Sequence, residues 1–348
     1  MSNITIWPIL DHCIKIWASD IHMSEGENIW FRVHGELGKV VWASLDSVKI
    51  RQILSDLFRD NNDVIEDFLT KKDADFAYIH TDGTPFRVNA FFKLWKIAFV
   101  MRRIASEPKT IQELGLPRWV EKFTKAKWWL ILVTWPTGSW KSTSMISILD
   151  AINKTRREHI LTIEDPTEFI FKDDKSIFSQ REVGKDTKTF ASALRAAMRE
   201  DPDIVMVWEM RDKETVEAAV ELAETGHLVI STLHTAGSVQ TITRLVNFFH
   251  PELQHSFRYK LWDILFWVLS QRLIPKNWGG RVWIYEVMMM TPGIRNLIRS
   301  WDLVQINNAI EMGQSEWMVT MKNYADNLRD KWIVKEEDYI NYGSSPVD

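Results

Sequence analysis

Residues 135–142 read Trp-Pro-Thr-Gly-Ser-Trp-Lys-Ser, and this run constrains the chain more than any other. It matches the phosphate-binding loop G-x-x-x-x-G-K-[ST] except at the two glycines, which are replaced by Trp135 and Trp140. Glycine is required there because the loop needs positive φ angles and a close approach of backbone N–H groups to phosphate. A left-handed non-glycine residue costs about 1–2 kcal/mol. An indole ring at Trp140 would also fill the space that a phosphate ligand needs.

The amino-acid composition suggests where these tryptophans come from. The chain has 18 Trp and 14 Gly in 348 residues, whereas glycine alone normally accounts for about 7% of a protein. Several tryptophans stand at turn-like positions: Trp30, Trp42, Trp278, Trp301 and Trp332. Our hypothesis is that the gene uses UGA for glycine and that this sequence translates UGA as tryptophan. The alternative is a Trp-rich chain with a degenerate loop.

Length and charge restrict the class of protein. A chain of 348 residues is long enough for two domains. A net charge of -4 gives no general attraction to nucleic acid or to anionic membranes, so no nucleic-acid partner is expected. The single cysteine, Cys13, rules out a disulfide within the chain and a cysteine-rich zinc site. No apolar run is long enough for a membrane span, which predicts a cytoplasmic protein that reaches the membrane only through a partner.

Hydrophobic periodicity divides the chain into two predicted domains. Residues 1–105 combine a helical pattern at 47–58 with strand-like runs at 86–92 and 96–103, which predicts a small α+β domain with an antiparallel sheet. Residues 106–117 contain two prolines and a glycine and are the predicted linker.

From residue 118 to 348, short apolar runs alternate with amphipathic helices, which is typical of a parallel sheet with crossover helices. The segment after residue 291 is predicted to be mostly helical. The predicted strands are 130–134, 159–163, 204–207, 228–232 and 281–287, and the clearest predicted helices are 189–200 and 215–224.

The P-loop lies between an apolar strand and a helix, which is the context that this motif requires. Lys141 is the candidate for contact with the β- and γ-phosphates, and Ser142 is the candidate ligand of Mg²⁺. The helix amino terminus adds positive potential. The full set of predicted nucleotide contacts in this segment is Pro136, Thr137, Gly138, Ser139, Lys141, Ser142 and Thr143.

Two glutamates follow other predicted strands. Glu164 ends the run Thr-Ile-Glu, and Glu209 follows the apolar run 204–207. Carboxylates at the carboxyl ends of strands lie on the ligand-binding edge of an α/β sheet. Either residue is a candidate for activating water or holding Mg²⁺, although Glu164 could instead cap the following turn.

Two histidines and two arginines complete the candidate set. His227 and His234 stand at opposite ends of one predicted strand and cannot both contact one phosphate. One of them is expected to sense nucleotide and the other to stabilise the strand. His227 is the predicted nucleotide contact, and His234 is the predicted catalytic residue. Arg87 and Arg102 lie on neighbouring strands of the first domain and could reach a neighbouring subunit's γ-phosphate, unless they are simply solvated.

Together these segments resemble the type II/IV secretion ATPase superfamily. The Walker A run is 135–142, an acidic box lies at 162–168, the Walker B region at 201–212 and a histidine box at 225–235. Within that superfamily the chain is most similar to the type IV pilus retraction ATPases: it lacks a tetracysteine zinc site, and residues 293–299, Gly-Ile-Arg-Asn-Leu-Ile-Arg, are similar to that family's Ala-Ile-Arg-Asn-Leu motif. Tryptophans that align with common family glycines are Trp17, Trp95, Trp128, Trp135, Trp140, Trp208, Trp301 and Trp317.

The resemblance implies a PAS-like N-terminal domain, a RecA-like P-loop NTPase motor domain and a homohexameric ring. It also implies ATP and Mg²⁺ as cofactors, with an adjacent N-terminal domain supplying Arg87 and Arg102. The implied activity is ATP hydrolysis that powers pilus retraction and twitching motility, through an inner-membrane platform protein and, indirectly, pilin. If Trp135 and Trp140 are genuine, the chain is instead expected to be an inactive structural or regulatory ring subunit. A pilus-assembly or secretion ATPase of the same superfamily is the other alternative.

Overall fold

The computed structural model describes residues 5–33, 36–40, 45–59, 61–104, 108–116, 118–134, 142–279 and 281–335. The chain forms two compact units. The N-terminal unit comprises Met1–Glu107 with Pro166–Ile170, and the C-terminal unit comprises Pro108–Asp165 with Phe171–Asp348. The domain boundaries proposed at residues 105 and 117 stay predictions.

The N-terminal unit contains an antiparallel sheet in the order β3-β2-β1-β6-β5-β4 among its described residues. Its core is apolar and includes Phe31, Phe86 and Phe99, all almost fully buried. The predicted helix at 47–58 and both predicted strands are present, as α2, β5 and β6. The elements are α1 Trp7–Lys15, β1 Asp20–Ser24, β2 Ile29–Val33, β3 Glu36–Val40, α2 Ser47–Leu57, α3 Asn62–Lys71, β4 Asp73–Ile79, β5 Pro85–Lys93 and β6 Lys96–Arg103.

The C-terminal unit contains a second sheet, in the order β13-β12-β7-β11-β10-β8-β9 among the described residues. All its neighbouring strands are parallel except the β12–β13 pair. Its strands are β7 Trp129–Thr134, β8 His159–Glu164, β9 Ile177–Glu182, β10 Ile204–Val207, β11 Leu228–Leu233, β12 Leu265–Pro275 and β13 Arg281–Met289. Its helices are α4 Ser142–Thr155, α5 Phe190–Ala197, α6 Lys213–Glu224, α7 Ser238–Asn247, α8 Pro251–Ile264, α9 Pro292–Ser300, α10 Val304–Met312 and α11 Met321–Asp330.

The alternation of buried apolar strands and helices explains this second fold. The four residues of β10 are all fully buried, as are the six of β11, as expected for parallel strands covered on both faces. The five strands predicted from sequence are present, as are both helices and the helical segment after residue 291. The sequence pattern did not predict β9 or β12. No helix within the described ranges is long and apolar enough to cross a membrane.

Tryptophan occupies backbone positions that normally belong to glycine. Among the described residues, ten non-glycine residues have positive φ, and six of these are Trp17, Trp95, Trp129, Trp301, Trp317 and Trp332. Tryptophan supplies only 18 of the 348 residues, so this enrichment is specific to left-handed backbone.

The local geometry shows why these positions favour glycine. Trp17, Trp301 and Trp332 lie one or two residues after the ends of α1, α9 and α11, and each has the two hydrogen bonds of a Schellman motif. For α11, the Trp332 N–H donates to Arg329 O at 2.7 Å and the Ile333 N–H to Leu328 O at 2.9 Å. Glycine is the usual residue at this position because it carries no Cβ.

Trp95 belongs to a two-residue hairpin turn. Lys93 pairs with Lys96 across the turn, and the two residues between them have φ of 48° and 68°. A two-residue turn with both φ values positive is of type I′, which favours Asn-Gly. The backbone at these positions supports, independently of the P-loop motif, the hypothesis that the codons translated here as tryptophan encode glycine.

Candidate active site

The carboxyl ends of four parallel strands meet at one edge of the second sheet. Thr134 at the end of β7 pairs with Leu233 of β11, and Val207 of β10 pairs with Ser231 of β11 and with Ile163 of β8. The segments that follow these strands therefore share this edge. They carry the P-loop after β7, Glu164, Glu209 and His234. In an open α/β sheet, ligands bind at this edge.

Glu209 is the centre of the described part of the site. It lies two residues after β10 and is only 5% exposed. One of its oxygens, Oε2, is 3.2 Å from His234 Nε2 and accepts a hydrogen bond from Arg211 Nε at 2.8 Å. Arg211 also reaches Asp165 Oδ2 at 3.5 Å. The structure therefore brings together two of the predicted catalytic residues, Glu209 and His234, and adds Arg211, which sequence reasoning missed.

The backbone around Glu209 is held by the neighbouring strands. The N–H of Trp208 donates to Ile163 O at 2.9 Å, and the N–H of Met210 donates to Thr232 O at 3.1 Å. The Thr232 hydroxyl donates to the carbonyl of Trp208. Because hydrogen bonds to both β8 and β11 hold this segment, the carboxylate is presented on fixed backbone rather than on a free loop.

Glu164 lies at the end of β8 and is 1% exposed. Its Oε1 accepts hydrogen bonds from the Thr162 hydroxyl at 2.7 Å and from Gln180 Nε2 at 3.0 Å. Gln180 is on β9, a strand that the sequence pattern did not reveal, so no signal identified it. Glu164 therefore has partners suited to a carboxylate that orients water or a metal-bound group.

Most of the predicted P-loop contacts lie outside the described residues. These are Pro136, Thr137, Gly138, Ser139 and Lys141, together with Trp135 and Trp140. Ser142 begins α4, but its side chain is also outside the described set. Thr143 is described and partly buried in the first turn of α4. The roles predicted for this loop stay predictions.

His227 is not brought to the edge that carries Glu209 and His234. It precedes β11, at the amino end of the strand, where its carbonyl accepts from the Trp129 N–H at the start of β7. Its Nδ1 lies 3.0 Å from Leu222 O and 3.1 Å from the Thr225 hydroxyl. These contacts tie the end of α6 to β11. The nucleotide contact predicted for His227 receives no support from this placement.

The two candidate arginines of the N-terminal unit are ion-paired. Arg87 donates to both oxygens of Asp75, at 3.3 and 2.7 Å, and lies 3.8 Å from Glu168. Arg102 donates to Asp20 at 2.7 Å. Burial disfavours the charged form of Asp20, but hydrogen bonds from Arg102 and Ser19 outweigh it and lower the pKa of that carboxyl. Each arginine is therefore held beside a carboxylate of its own unit.

The described carboxylates fit a metal that is bound together with a nucleotide. Within the described ranges, no group of three or more His, Cys, Asp or Glu side chains could hold a metal ion alone. Mg²⁺ in nucleotide sites needs only one or two carboxylates, because phosphates and water complete its shell. Glu164 and Glu209, both at the edge where the P-loop begins, fit that requirement.

Known proteins share this sequence and fold. Residues 2–278 match the family model for the type II/IV secretion system protein. The type IV pilus retraction ATPase PilT of Pseudomonas aeruginosa is 40% identical over 332 residues, covering 95% of this chain and 96% of that protein. A twitching motility protein of Neisseria gonorrhoeae is 35% identical over 346 residues, covering 95% and 91%.

Solved structures agree with this. A crystal structure of the pilus retraction motor PilT with bound ADP matches with a TM-score of 0.92 and 39% identity, covering 99% of this chain and 98% of that one. The Legionella pneumophila ATPase DotB matches with a TM-score of 0.84 and 27% identity, covering 98% and 96%. The predicted fold class, an α/β motor domain with a smaller N-terminal α+β domain, is confirmed. The chain belongs to the type II/IV secretion system protein family, and within it to the PilT-type ATPases.

Proposed function

We propose that this chain is an ATP-hydrolysing motor that powers type IV pilus retraction. The observation that carries the proposal is the buried Glu209, held by His234 and Arg211 at the sheet edge from which the P-loop extends. The similarity to PilT over 95% of the chain supports the same activity. The structure of PilT with bound ADP supports nucleotide as the ligand.

In this proposal, Glu209 orients and deprotonates the attacking water. A single hydrogen bond that the carboxylate accepts from water is sufficient for this role. Arg211 and His234 both contact Oε2, so these two side chains fix the orientation of the carboxylate. His234 directly follows β11, so it is also placed to respond to the γ-phosphate. Glu164, fixed by Thr162 and Gln180, shares the positioning of water and metal.

The P-loop supplies the binding contacts. Its backbone N–H groups surround the phosphates, Lys141 contacts the β- and γ-phosphates and Thr143 lies in the first turn of the helix that faces them. Ser142, Glu164 and Glu209 are the residues that would hold Mg²⁺. When bound, Mg²⁺ neutralises the charge that develops on the phosphate oxygens.

This function requires glycine at Trp135 and Trp140. Left-handed tryptophans elsewhere in the chain, such as Trp301 and Trp332, support a common origin in codon usage. We therefore propose that the cell that owns this gene inserts glycine at these codons. Intact-mass measurement of the protein from that cell tests the point, and a mass that corresponds to 18 tryptophans would contradict it.

The proposed assembly is a homohexamer in which each ATP site is completed by Arg87 and Arg102 of an adjacent subunit. The proposed location is the cytoplasmic face of the inner membrane, held there by the pilus platform protein. Pilin is proposed as an indirect partner. A cross-complementation measurement tests the arginines: an inactive Lys141→Ala subunit mixed with an Arg87→Ala, Arg102→Ala subunit should recover partial ATPase activity.

The activity itself is tested on the glycine form, by which we mean the chain with glycine at all 18 tryptophan positions. Phosphate release measured with malachite green should be present in the glycine form and absent in its Lys141→Ala variant. Glu209→Gln should bind ATP normally and release phosphate at least 100-fold more slowly, the size of a general-base contribution of about 10² or more. Activity that survives Lys141→Ala would refute the proposal.

The second candidate function is a ring subunit without ATPase activity. The chain with tryptophan at positions 135 and 140 favours it, because an indole at either position obstructs the loop. A native mass that includes the tryptophans, together with inactive protein, would select this alternative. An assay in cells separates this function from a pilus-assembly role. A retraction ATPase expressed in retraction-deficient cells should reduce the amount of surface pilin, whereas an assembly ATPase should not.

A further inference from the structure

The polar run Ser270-Gln271-Arg272 interrupts the apolar sequence of β12, and its first two residues are buried. They are 1% and 0% exposed. Successive side chains of a strand point to opposite faces of the sheet, so the two residues address different neighbours. Because both are buried, exposure to solvent does not explain their polarity, and the side-chain hydrogen bonds described for them go to Thr134 and Ser144.

Ser270 contacts the strand that leads into the P-loop. It stands opposite Thr134 in the parallel pairing of β12 and β7. The two hydroxyls are 2.8 Å apart, and Thr134 is fully buried. Thr134 is the last residue before the loop that begins at 135. This hydrogen bond therefore fixes the strand stem of the loop.

Gln271 contacts the helix that leaves the P-loop. Its Oε1 accepts a hydrogen bond from the Ser144 hydroxyl at 2.9 Å, and Ser144 is fully buried in the first turn of α4. Ser144 lies three residues after Lys141. Gln271 therefore fixes the helix stem of the same loop.

The hydrogen bond of Gln271 is poorly explained by stability alone. Gln271 Nε2 is buried and has no hydrogen-bond partner among the described residues. An unmet buried donor is destabilising, whereas an apolar pair of the same shape would be nearly neutral. The glutamine therefore carries a cost in stability, next to a loop whose geometry decides whether phosphates bind.

We infer that Ser270 and Gln271 are positioning residues for the P-loop: from one strand they hold both of its stems at a fixed separation. The inference rests on the proposed function, since it assigns the loop a nucleotide. A binding loop whose ends are fixed in advance loses less entropy when the ligand binds. The role should therefore appear in nucleotide affinity rather than in the turnover of bound ATP.

The experiment uses Ser270→Ala and Gln271→Met in the glycine form. Asn153→Leu is the matched control, because Asn153 is 3% exposed on the same helix α4 but its amide donates to Lys172 O at 2.8 Å, near the other end of that helix. The measurements are the Kd of a fluorescent ADP analogue, KM and kcat for ATP, and the urea midpoint. Ser270→Thr, which keeps the hydroxyl, is the rescue variant.

The expected result is a rise of about fivefold in Kd and KM for each variant, the size of one neutral hydrogen bond, with kcat within about twofold. Asn153→Leu should lower the urea midpoint but leave Kd unchanged. Ser144→Ala combined with Gln271→Met should be no weaker than either alone, because both remove one interaction. Unchanged Kd in Ser270→Ala and Gln271→Met, or the same rise in Asn153→Leu, would overturn the inference.

The two proposals fail in different ways. If the glycine form binds the ADP analogue but releases no phosphate, the motor function is refuted. The Kd comparison still tests whether Ser270 and Gln271 hold the stems of the P-loop. If the glycine form hydrolyses ATP and Lys141→Ala does not, the motor function stands whatever the two β12 variants show. If no nucleotide binds at all, both proposals are refuted.

Discussion

Trp332→Gly should stabilise the folded protein, although it removes a large side chain. Trp332 has φ of 57°, follows α11 in a Schellman motif and is 81% exposed. Replacing it with glycine relieves about 1–2 kcal/mol of left-handed strain. Glycine's greater freedom in the unfolded chain costs about 0.5–1 kcal/mol. Little burial is lost, so the net gain is about 0.5–1 kcal/mol.

The matched control is Trp278→Gly. Trp278 lies in the same unit and is 67% exposed, but its φ is not positive. It carries the same entropic cost without the relief, so this variant should be destabilised by about 0.5–1 kcal/mol. The two variants should therefore differ by about 1–2 kcal/mol, or roughly 2–8 °C in Tm for a unit of this size.

Urea denaturation followed by far-UV circular dichroism measures both variants against the parent chain. Equal midpoints for Trp332→Gly and Trp278→Gly, or a lower midpoint for Trp332→Gly, would refute the argument that the tryptophan strains the backbone. A difference in slope rather than in midpoint would indicate a change in the unfolded state, and the comparison would then use Trp301→Gly, which occupies the equivalent position after α9.

Three other expectations follow from the structure. Cys13 is fully buried and burial raises its pKa to about 11, so it should react with a thiol reagent at about pH 8 only after the protein is unfolded in urea. Burial, partly offset by a hydrogen bond from the Ser238 N–H, raises the pKa of Glu286; above the ordinary Glu pKa the unfolded chain loses this proton before the folded one does. Stability should therefore fall as pH rises from the ordinary to the raised pKa, and Glu286→Gln should remove that fall in urea midpoints taken between about pH 5 and about pH 7.5. Thr189→Ala removes the capping box of α5 and should cost about 1 kcal/mol in the same assay.

The fold was largely predictable because its strands are short apolar runs separated by turn residues. The strand at 204–207 was predicted with its observed bounds, as was the one at 96–103. β12 was not predicted because it begins at Leu265, directly after α8 ends at Ile264, with no glycine or proline between them. A continuous apolar segment of that kind does not distinguish helix from strand by periodicity.

The site was predictable only in part, for a related reason. A carboxylate after an apolar strand can be recognised in sequence, which is how Glu164 and Glu209 were found. The partner of each depends on which strands become neighbours. Gln180 reaches Glu164 because β9 pairs with β8. Arg211 lay within the predicted Walker B region, but its contact with Glu209 is a tertiary feature.

The tryptophans connect the backbone to the chemistry. If only the ATPase activity had been lost during evolution, substitutions would accumulate in the P-loop and not at the ends of α1, α9 and α11, which lie outside that loop. Tryptophan nevertheless takes the left-handed position after each of those helices and in the β5–β6 hairpin. The feature that these sites share with positions 135 and 140 is a backbone requirement for glycine. A cause that acts on codons accounts for the tryptophans at all of these sites, whereas loss of ATPase function accounts only for Trp135 and Trp140. The same argument that restores glycine to the helix ends restores it to the P-loop, and with it the capacity of the loop to bind phosphate.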